Sequence, residues 1–310
     1  MGLSHIRLDS TAPVDRWLRL DFEVELALTL GPLRYGPGDP TMRIARGIVW
    51  RATRTRDGAA TVRISRGRNG WRVMAWGRGA EVAAEAVPRL LGAEDEPGAL
   101  LLPAGRLRDL MLRLKGLRFG RSDAVMESLI PAIIGQKVTA REAQRAYRGL
   151  VARFGEPAPG PGGLRLAPSP ERLAALPYFE LHPLGLEQRR AVTIIRASQQ
   201  ASWLEEAVEL SPAAALARLR GIPGVGAWTA AETARSALGD PDVVSLGDFH
   251  IPNMVCWALA GEPRGDDVRM LELLEPYRGQ RGRLVRILEL SGITAPKYGP
   301  RSPPRSIGQL

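Results

Sequence analysis

A short glycine-rich segment offers the clearest binding chemistry in the sequence. Residues 219–230 read LRGIPGVGAWTA, in which Gly224 and Gly226 flank one small apolar residue. Such a pair of glycines allows a tight turn between two helices and leaves backbone N–H groups exposed where the second helix begins. A helix N-terminus can hold a phosphate group, and contacts of this kind position a protein on DNA without reading its sequence. The same residues also suit an ordinary turn between two packed helices.

Asp248 is the candidate for chemistry. It lies in VVSLGDFHIPN, residues 243–253, and follows Gly224 by 24 residues, which is enough for one helix and a return loop. A helix is predicted over residues 249–260, so the carboxylate can cap its N-terminus. A capping carboxylate can also face a cleft, where it can stabilise positive charge that develops during a reaction.

Three motifs carry a resemblance to a known family. LRGIPGVGAWTA followed by DVVSLGDFHI resembles the helix–hairpin–helix, Gly/Pro-rich loop and aspartate (HhH-GPD) signature of a DNA glycosylase superfamily. Residues 127–155, ESLIPAIIGQKVTAREAQRAYRGLVARFG, are similar to the segment before the hairpin in the 3-methyladenine DNA glycosylase II family. The resemblance covers roughly residues 20–290. It implies an enzyme that removes damaged bases from DNA and leaves an abasic site.

The resemblance assigns roles around the base. Asp248 matches the essential aspartate, Trp228 matches an aromatic wall of the base pocket, and Phe249 matches the aromatic residue after the aspartate. A second pocket tryptophan has no match, and Arg286 falls near its place. Beyond the matched motifs, the sequence offers two more candidates for the border of the pocket, Tyr178 and His182.

Other matched residues are expected to contact the DNA backbone. They are Gln136, Lys137, Gly224, Val225, Gly226, Ala227 and Thr229. Lys137 matches the wedge that fills the gap left by a flipped base, a position that is apolar in the similar family. In relatives, hairpin carbonyl groups also bind a monovalent cation. Here Na⁺ or K⁺ would be held by the carbonyls of Arg220, Ile222 and Val225.

These residue types suit the release of a damaged base. A base inside a duplex is reached only after its nucleotide is flipped into a pocket and stacked there. A purine alkylated at N3 or N7 is positively charged, so an aromatic face such as Trp228 adds a cation–π contact. Such a base leaves readily, and the difficulty lies in the oxocarbenium-like sugar. One carboxylate near C1′ can stabilise that charge and orient the attacking water.

The overall charge favours a polyanionic partner. The formal net charge is +10 and the pI is about 10.6, so double-stranded DNA containing a damaged base is the expected partner. Lysine occurs only at Lys115, Lys137 and Lys297, and arginine supplies nearly all the positive charge. A GC-rich genome can explain the preference for arginine, but not the excess of basic over acidic residues.

Cysteine usage and hydropathy exclude several classes. With Cys256 as the single cysteine, a disulfide within the chain and a four-cysteine iron–sulfur or zinc site are excluded. No iron–sulfur cluster is therefore expected, and no cofactor is expected for catalysis. No apolar run approaches the roughly 18 residues that span a membrane, and the N-terminus lacks a signal-peptide pattern. A cytoplasmic, nucleoid-associated monomer is expected.

The elements that must position these residues fall into two parts. Alternation over residues 22–30, FEVELALTL, predicts a strand. Further strands are predicted at 43–54, 59–65 and 71–76, with Asp57-Gly58 and Asn69-Gly70 as turns, and a helix at 80–91. From about residue 104 the pattern is helical, with helices at 123–134, 139–154, 171–176, 186–201 and 212–219 and another beginning near Ala227.

The expected fold class is α+β, with a small N-terminal antiparallel sheet and helix packed on a mostly α-helical HhH-GPD core. The predicted domains are residues 1–103, the α+β part, and residues 104–295, the helical glycosylase core. Residues 296–310 are expected to form a Pro-rich, basic tail.

Three other functions fit part of this pattern. A non-catalytic helix–hairpin–helix DNA-binding protein would share the hairpin, but it has no use for a carboxylate at Asp248. A bifunctional glycosylase-lyase acting on oxidised bases needs an amine nucleophile, and the sequence has Trp228 at that place. An RNA or anionic-membrane binder is the third, and no RNA-recognition motif or basic amphipathic anchor helix supports it.

Overall fold

The computed structural model describes residues 12–68 and 70–296, and its N-terminal part is a five-stranded antiparallel sheet. The strands are β1 (Val14–Leu18), β2 (Met42–Ala45), β3 (Ile48–Thr55), β4 (Gly58–Gly67) and β5 (Gly70–Trp76), in the order β1-β5-β4-β3-β2. Alternate apolar side chains such as Val62, Ile64 and Val73 are buried against two short helices, α2 (Ala80–Glu85) and α3 (Val87–Leu90). This confirms the predicted α+β fold class.

The strand predicted at residues 22–30 is wrong. Residues Leu26–Leu30 form a five-residue helix, α1, whose first turn is capped by the Glu25 carboxylate, 2.8 Å from the Leu28 N–H. Leu26 and Leu30 are buried together in the sheet core, because residues four apart share one helix face. The first strand is instead β1, which the sequence pattern did not predict.

The turns between strands follow local chemistry. The predicted strand at 43–54 is divided into β2 and β3 by Arg46 and Gly47, whose φ angles of +51° and +70° suit a tight hairpin turn. A turn joins β3 to β4 where one was predicted, but its two residues are Arg56 and Asp57, and Gly58 is the first residue of β4, paired with Thr55. Asn69 lies outside the described residues, as does the predicted tail from Lys297 onwards.

Helices dominate the rest of the chain. They are α4 (Arg106–Arg113), α5 (Val125–Ile134), α6 (Ala140–Phe154), α7 (Pro170–Ala174), α8 (Gln188–Gln199), α9 (Ala201–Glu205), α10 (Pro212–Arg220), α11 (Ala227–Ala237), α12 (Ile251–Ala260), α13 (Asp267–Leu274) and α14 (Arg281–Leu290). A two-stranded ribbon, β6 (Glu156–Pro157) and β7 (Arg165–Leu166), follows α6. Within the described ranges, no helix is both long and apolar enough to cross a bilayer.

Two apolar cores hold these helices. One is centred on α5 and α6, with Leu129, Ile133 and Leu150 fully buried, and it includes α11. The other joins the C-terminal helices α12, α13 and α14 to the segment around Leu102. The first core fixes α11 against α5, and the second fixes the start of α12.

Glu127 on α5 fastens the sheet to the helices. Its carboxylate forms an ion pair with Arg51 at 2.7 Å and accepts hydrogen bonds from the Thr53 hydroxyl and the Arg54 N–H. Because these partners lie on β3, the end of the sheet is held beside α5 and α11.

A second polar connection is almost fully buried. The Arg283 guanidinium on α14 binds the carboxylate of Asp95, and both side chains are 2% exposed. Burial lowers the pKa of the Arg283 guanidinium, while the neighbouring Asp95 raises it. The pair therefore depends on both charges being present.

Asp95→Asn should lower the free energy of unfolding by about 3–5 kcal/mol, because it leaves a buried guanidinium without its counter-charge. Urea denaturation measures this change. Glu85→Gln is the control, since it breaks an exposed pair with Arg16 and should cost less than about 1 kcal/mol. Equal, small effects in both variants would contradict the prediction.

Candidate active site

Asp248 joins two segments of the helical part. One carboxylate oxygen, Oδ1, accepts hydrogen bonds from the backbone N–H groups of His250 at 2.7 Å and Ile251 at 3.0 Å, which caps the first turn of α12. The other, Oδ2, accepts a hydrogen bond of 3.0 Å from the Trp228 indole Nε1 on α11. Asp248 and Trp228 are both half-buried. The carboxylate is thus held in one orientation beside an aromatic ring.

A cavity of about 100 Å³ lies between the sheet, α5, α6 and α11. Trp228, Glu232 and Arg235 line it from α11, since residues separated by four and seven positions share one helix face. Tyr35, Glu127 and Tyr147 line it from other elements. The indole of Trp228 therefore contacts the cavity and, through Nε1, the Asp248 carboxylate.

The α11 wall of this cavity is charged. Glu232 Oε2 accepts a hydrogen bond of 2.6 Å from Arg235 Nη2, and Glu232 Oε1 accepts one of 2.5 Å from the Ser245 hydroxyl. Arg235 Nη1 lies 3.7 Å from Glu289, which also binds Arg286 at 3.1 Å. Burial acts to lower the pKa of Arg235, but the carboxylates of Glu232, Glu289 and Asp248 raise it above its ordinary value. The guanidinium is therefore charged.

The glycine-rich turn places free N–H groups at the surface. Gly224 has φ +102°, and a β-carbon there would collide with the Thr193 hydroxyl. Gly226 is the N-cap residue of α11, and neither a side chain nor a backbone carbonyl of the described residues accepts its N–H or those of Ala227 and Trp228. Both glycines are exposed. The turn has the geometry of a phosphate-binding helix N-terminus.

Gln136 brings the two predicted DNA-contacting segments together. Its side-chain Nε2 donates to the Gly224 carbonyl at 3.0 Å and to the Thr229 hydroxyl at 2.8 Å. Thr229 and Val225 are buried, and the Val225 N–H donates to the Ile222 carbonyl, so their contact with DNA stays a prediction. Lys137 is exposed next to this contact and adopts φ +53°, an uncommon conformation for a residue with a β-carbon.

Three residues predicted to bind the base lie away from the cavity lining. Tyr178 and His182 belong to a 3₁₀ helix, Tyr178–Leu184, that packs against α6. Phe249 is 83% exposed and meets His250 edge-on, with ring centroids 4.9 Å apart. Their role as base contacts stays a prediction. Arg286 lines a smaller cavity next to the first, together with Arg235.

Sequence reasoning missed Glu232 and Arg235. The signal was present, because they follow Trp228 by four and seven residues on a predicted helix. It missed Tyr35, Tyr147 and Glu127 for a different reason. These residues reach the cavity only through the packing of the sheet on α5 and α6, which local spacing does not encode.

The hairpin carbonyls retain capacity for a cation. The Ile222 carbonyl accepts the Val225 N–H at 2.9 Å, which leaves one of its two lone pairs. The carbonyls of Arg220 and Val225 accept no hydrogen bond from the residues that the structure describes. Oxygen ligands of this kind fit Na⁺ or K⁺.

Part of the chain matches one family model and one group of curated relatives. Residues 130–278 match the family model described as HhH-GPD superfamily base excision DNA repair protein. The probable bifunctional transcriptional activator/DNA repair enzyme AlkA of Mycobacterium tuberculosis (strain CDC 1551 / Oshkosh) is 30% identical over 170 residues, which are 52% of this chain and 33% of that protein. The chain thus spans about a third of the length of the curated relatives it matches.

Two solved structures show the shared fold along most of the chain. The 3-methyladenine DNA-glycosylase from Archaeoglobus fulgidus has a TM-score of 0.70 and 22% identity, covering 89% of this chain and 97% of that one. The Clostridium acetobutylicum 8-oxoguanine glycosylase/lyase in complex with double-stranded DNA has a TM-score of 0.65 and 12% identity, covering 86% and 91%.

Alanine at the two hairpin glycines should have different effects. Gly226→Ala meets no atom within 4 Å, so it should cost less than about 1 kcal/mol in stability while its methyl group obstructs phosphate. Gly224→Ala should lower the free energy of unfolding by about 1–3 kcal/mol through backbone strain, in addition to the collision with Thr193.

Chemical denaturation and fluorescence anisotropy with an undamaged duplex separate the two effects. Gly226→Ala should weaken duplex binding without unfolding the protein. Unchanged affinity in a stable Gly226→Ala protein would show that the turn does not contact DNA.

Proposed function

We propose, from the match of residues 130–278 to the HhH-GPD superfamily of base excision DNA repair proteins, that the chain is a DNA glycosylase with Asp248 as its catalytic carboxylate. The observation that carries the proposal is the hydrogen bond between Asp248 and Trp228 beside the cavity. It places one carboxylate next to an aromatic wall, the combination that release of a flipped base requires.

The reaction follows from this geometry. The damaged nucleotide leaves the duplex, its base stacks on Trp228, and its sugar lies at Asp248. The bond between C1′ and the base nitrogen breaks, and the bonding electrons leave with the base. The carboxylate stabilises the resulting oxocarbenium-like sugar. Water then adds its oxygen to C1′ and loses a proton, which gives an abasic strand.

Damaged purines, above all alkylated ones, are the proposed substrates. A purine alkylated at N3 or N7 carries a positive charge, and Trp228 offers it a π face worth up to about 2 kcal/mol when desolvated. The name of the similar Archaeoglobus fulgidus enzyme, a 3-methyladenine DNA-glycosylase, supports this choice.

The hairpin and the neighbouring turn would hold the duplex. The free N–H groups at the start of α11 bind a phosphate, and Lys137 enters the gap left by the flipped nucleotide. Because Gln136 donates a hydrogen bond to the Gly224 carbonyl, the phosphate-binding turn and the turn with Lys137 would contact the duplex as one unit. The carbonyls of Arg220, Ile222 and Val225 would hold Na⁺ or K⁺, which stabilises the turn.

Hydrolysis without strand cleavage is the proposed outcome. A glycosylase-lyase attacks C1′ with an amine, and the side chain that contacts Asp248 is the indole of Trp228. Among the described lysines, Lys115 lies in the exposed segment after α4 and Lys137 lies at the wedge turn. Water is therefore the nucleophile.

Asp248→Asn should reduce base release at least about a hundredfold, the scale of losing one electrostatic stabiliser. The amide oxygen can still accept the N–H groups of His250 and Ile251, so the fold should persist. Single-turnover release from a duplex with one 3-methyladenine or 7-methylguanine measures the effect. Trp228→Phe is the comparison, because it keeps an aromatic ring but loses the N–H to Asp248 and part of the stacking area, and it should cost less. Parental activity in Asp248→Asn would remove Asp248 from the mechanism.

Borohydride should trap no covalent complex between the protein and damaged DNA, because the side chain that contacts Asp248 is the indole of Trp228 and not an amine. The product strand should break only after added alkali, which denaturing gel electrophoresis shows. Efficient trapping that disappears in Lys137→Ala would identify Lys137 as a nucleophile and make the enzyme a glycosylase-lyase.

A further inference from the structure

The α11 wall of the cavity places a hydrogen-bond acceptor beside a donor. Glu232 and Arg235 follow Trp228 on α11 by four and seven residues, which is about 6 and 10 Å along the helix axis. All three line the same cavity. A base stacked on Trp228 with its sugar at Asp248 therefore extends toward a carboxylate and a guanidinium.

Both groups retain hydrogen-bonding capacity. A carboxylate has about four acceptor sites, and the hydrogen bonds from Ser245 and Arg235 to Glu232 occupy two. The Arg235 guanidinium has five N–H donors. Its Nη2 bonds to Glu232, its Nη1 is 3.7 Å from Glu289, and its Nε has no partner within the described part of the chain.

Glu127 lines the same cavity but has less capacity. Three donors on β3 engage its carboxylate: the Arg51 guanidinium, the Arg54 N–H and the Thr53 hydroxyl, which lies within hydrogen-bond distance of both oxygens. Because all three donors lie on one strand, Glu127 is a structural connection to the sheet. Glu232, with two donors, is the cavity carboxylate with more sites left for a ligand.

Stability alone does not require the charged wall. A buried ion pair is often no more stabilising than apolar residues of the same volume, because desolvation offsets the attraction. Flipped bases are read through hydrogen bonds to their Watson–Crick edge. An adjacent acceptor and donor match an edge on which an N–H group lies next to a nitrogen or oxygen acceptor.

We propose, on the basis of the proposed function, that Glu232 and Arg235 read the Watson–Crick edge of the flipped purine. Glu232 accepts an N–H and Arg235 donates to the adjacent acceptor. The substrates are damaged purines in which this edge is intact, such as hypoxanthine, with N1–H beside O6, and 7-methylguanine. Purines whose N1 is closed by modification, such as 1,N⁶-ethenoadenine, offer Glu232 no N–H and are poor substrates.

The test compares hypoxanthine with 1,N⁶-ethenoadenine, because both are neutral and differ at this edge. Single-turnover release is measured from duplexes of otherwise identical sequence. The parental protein should favour hypoxanthine at least about a hundredfold, since a site built to bond a polar group rejects a ligand that lacks it. Glu232→Gln should slow hypoxanthine release about tenfold, the difference between a charged and a neutral hydrogen bond, and leave ethenoadenine release unchanged.

Two further variants make the result specific. Glu262→Gln removes a carboxylate that pairs with Arg269 outside the cavity lining, and it should leave the ratio of the two rates unchanged. In an Asp248→Asn background the bases stay attached, so anisotropy gives affinities for the two duplexes. There Glu232→Gln should weaken binding of the hypoxanthine duplex alone.

The outcomes distinguish this inference from the proposed function. Equal release rates for both lesions in the parental protein would overturn the proposal that Glu232 and Arg235 read the edge. An equal decrease of both rates in Glu232→Gln would do the same. Neither result would contradict the proposed glycosylase activity. Absence of base release from every lesion duplex would overturn the proposed function. The affinities in the Asp248→Asn background would then decide separately whether Glu232 reads the base.

Discussion

The hydrogen bond between the Trp228 indole and the Asp248 carboxylate holds the site together, because it joins segments fixed by different cores. Trp228 lies on α11, which packs on α5 in the first apolar core. Asp248 precedes α12, whose Ile251 and Met254 belong to the second. With Oδ1 capping α12 and Oδ2 bound to the indole, the carboxylate has little freedom to rotate. A preorganised charge of this kind needs no rearrangement when positive charge develops next to it.

The surface proposed to face DNA depends on a comparable contact between separate segments. The Gln136 amide binds both the Gly224 carbonyl and the Thr229 hydroxyl, so the turn before α6 and the start of α11 move together. Arg190 on α8 supports the same region through the Ile134 carbonyl at 2.7 Å. A backbone grip on phosphate carries no information on the base. Its coupling to the turn with Lys137 would transmit the position of the duplex to the point where a nucleotide is flipped.

The sequence was sufficient for the parts whose signal is local. The glycines of the hairpin and the cap at Asp248 have short-range signatures, and the structure has helices or turns at those places. The prediction of a strand at residues 22–30 failed because FEVELALTL suits a strand and a helix equally well. In the helix, Leu26 and Leu30 share one face. Only burial against the sheet selects the helix. The cavity was not predicted for a related reason. Its walls come from the sheet, α5, α6 and α11, and only tertiary packing brings these elements into contact.

The distribution of charge separates structure from chemistry in this molecule. Glu127 and Asp95 are each engaged by several donors, among them Arg51 and Arg283, and these carboxylates connect the N-terminal part to the helices. Glu232 and Arg235 connect mainly to one another and to side chains around the cavity. Carboxylates engaged by several donors hold elements in place. Groups with unused donors and acceptors lose their hydration on burial without regaining the same number of hydrogen bonds. A fold retains such incomplete pairs where a ligand completes them, and in this chain they lie beside the aromatic wall that Asp248 orients.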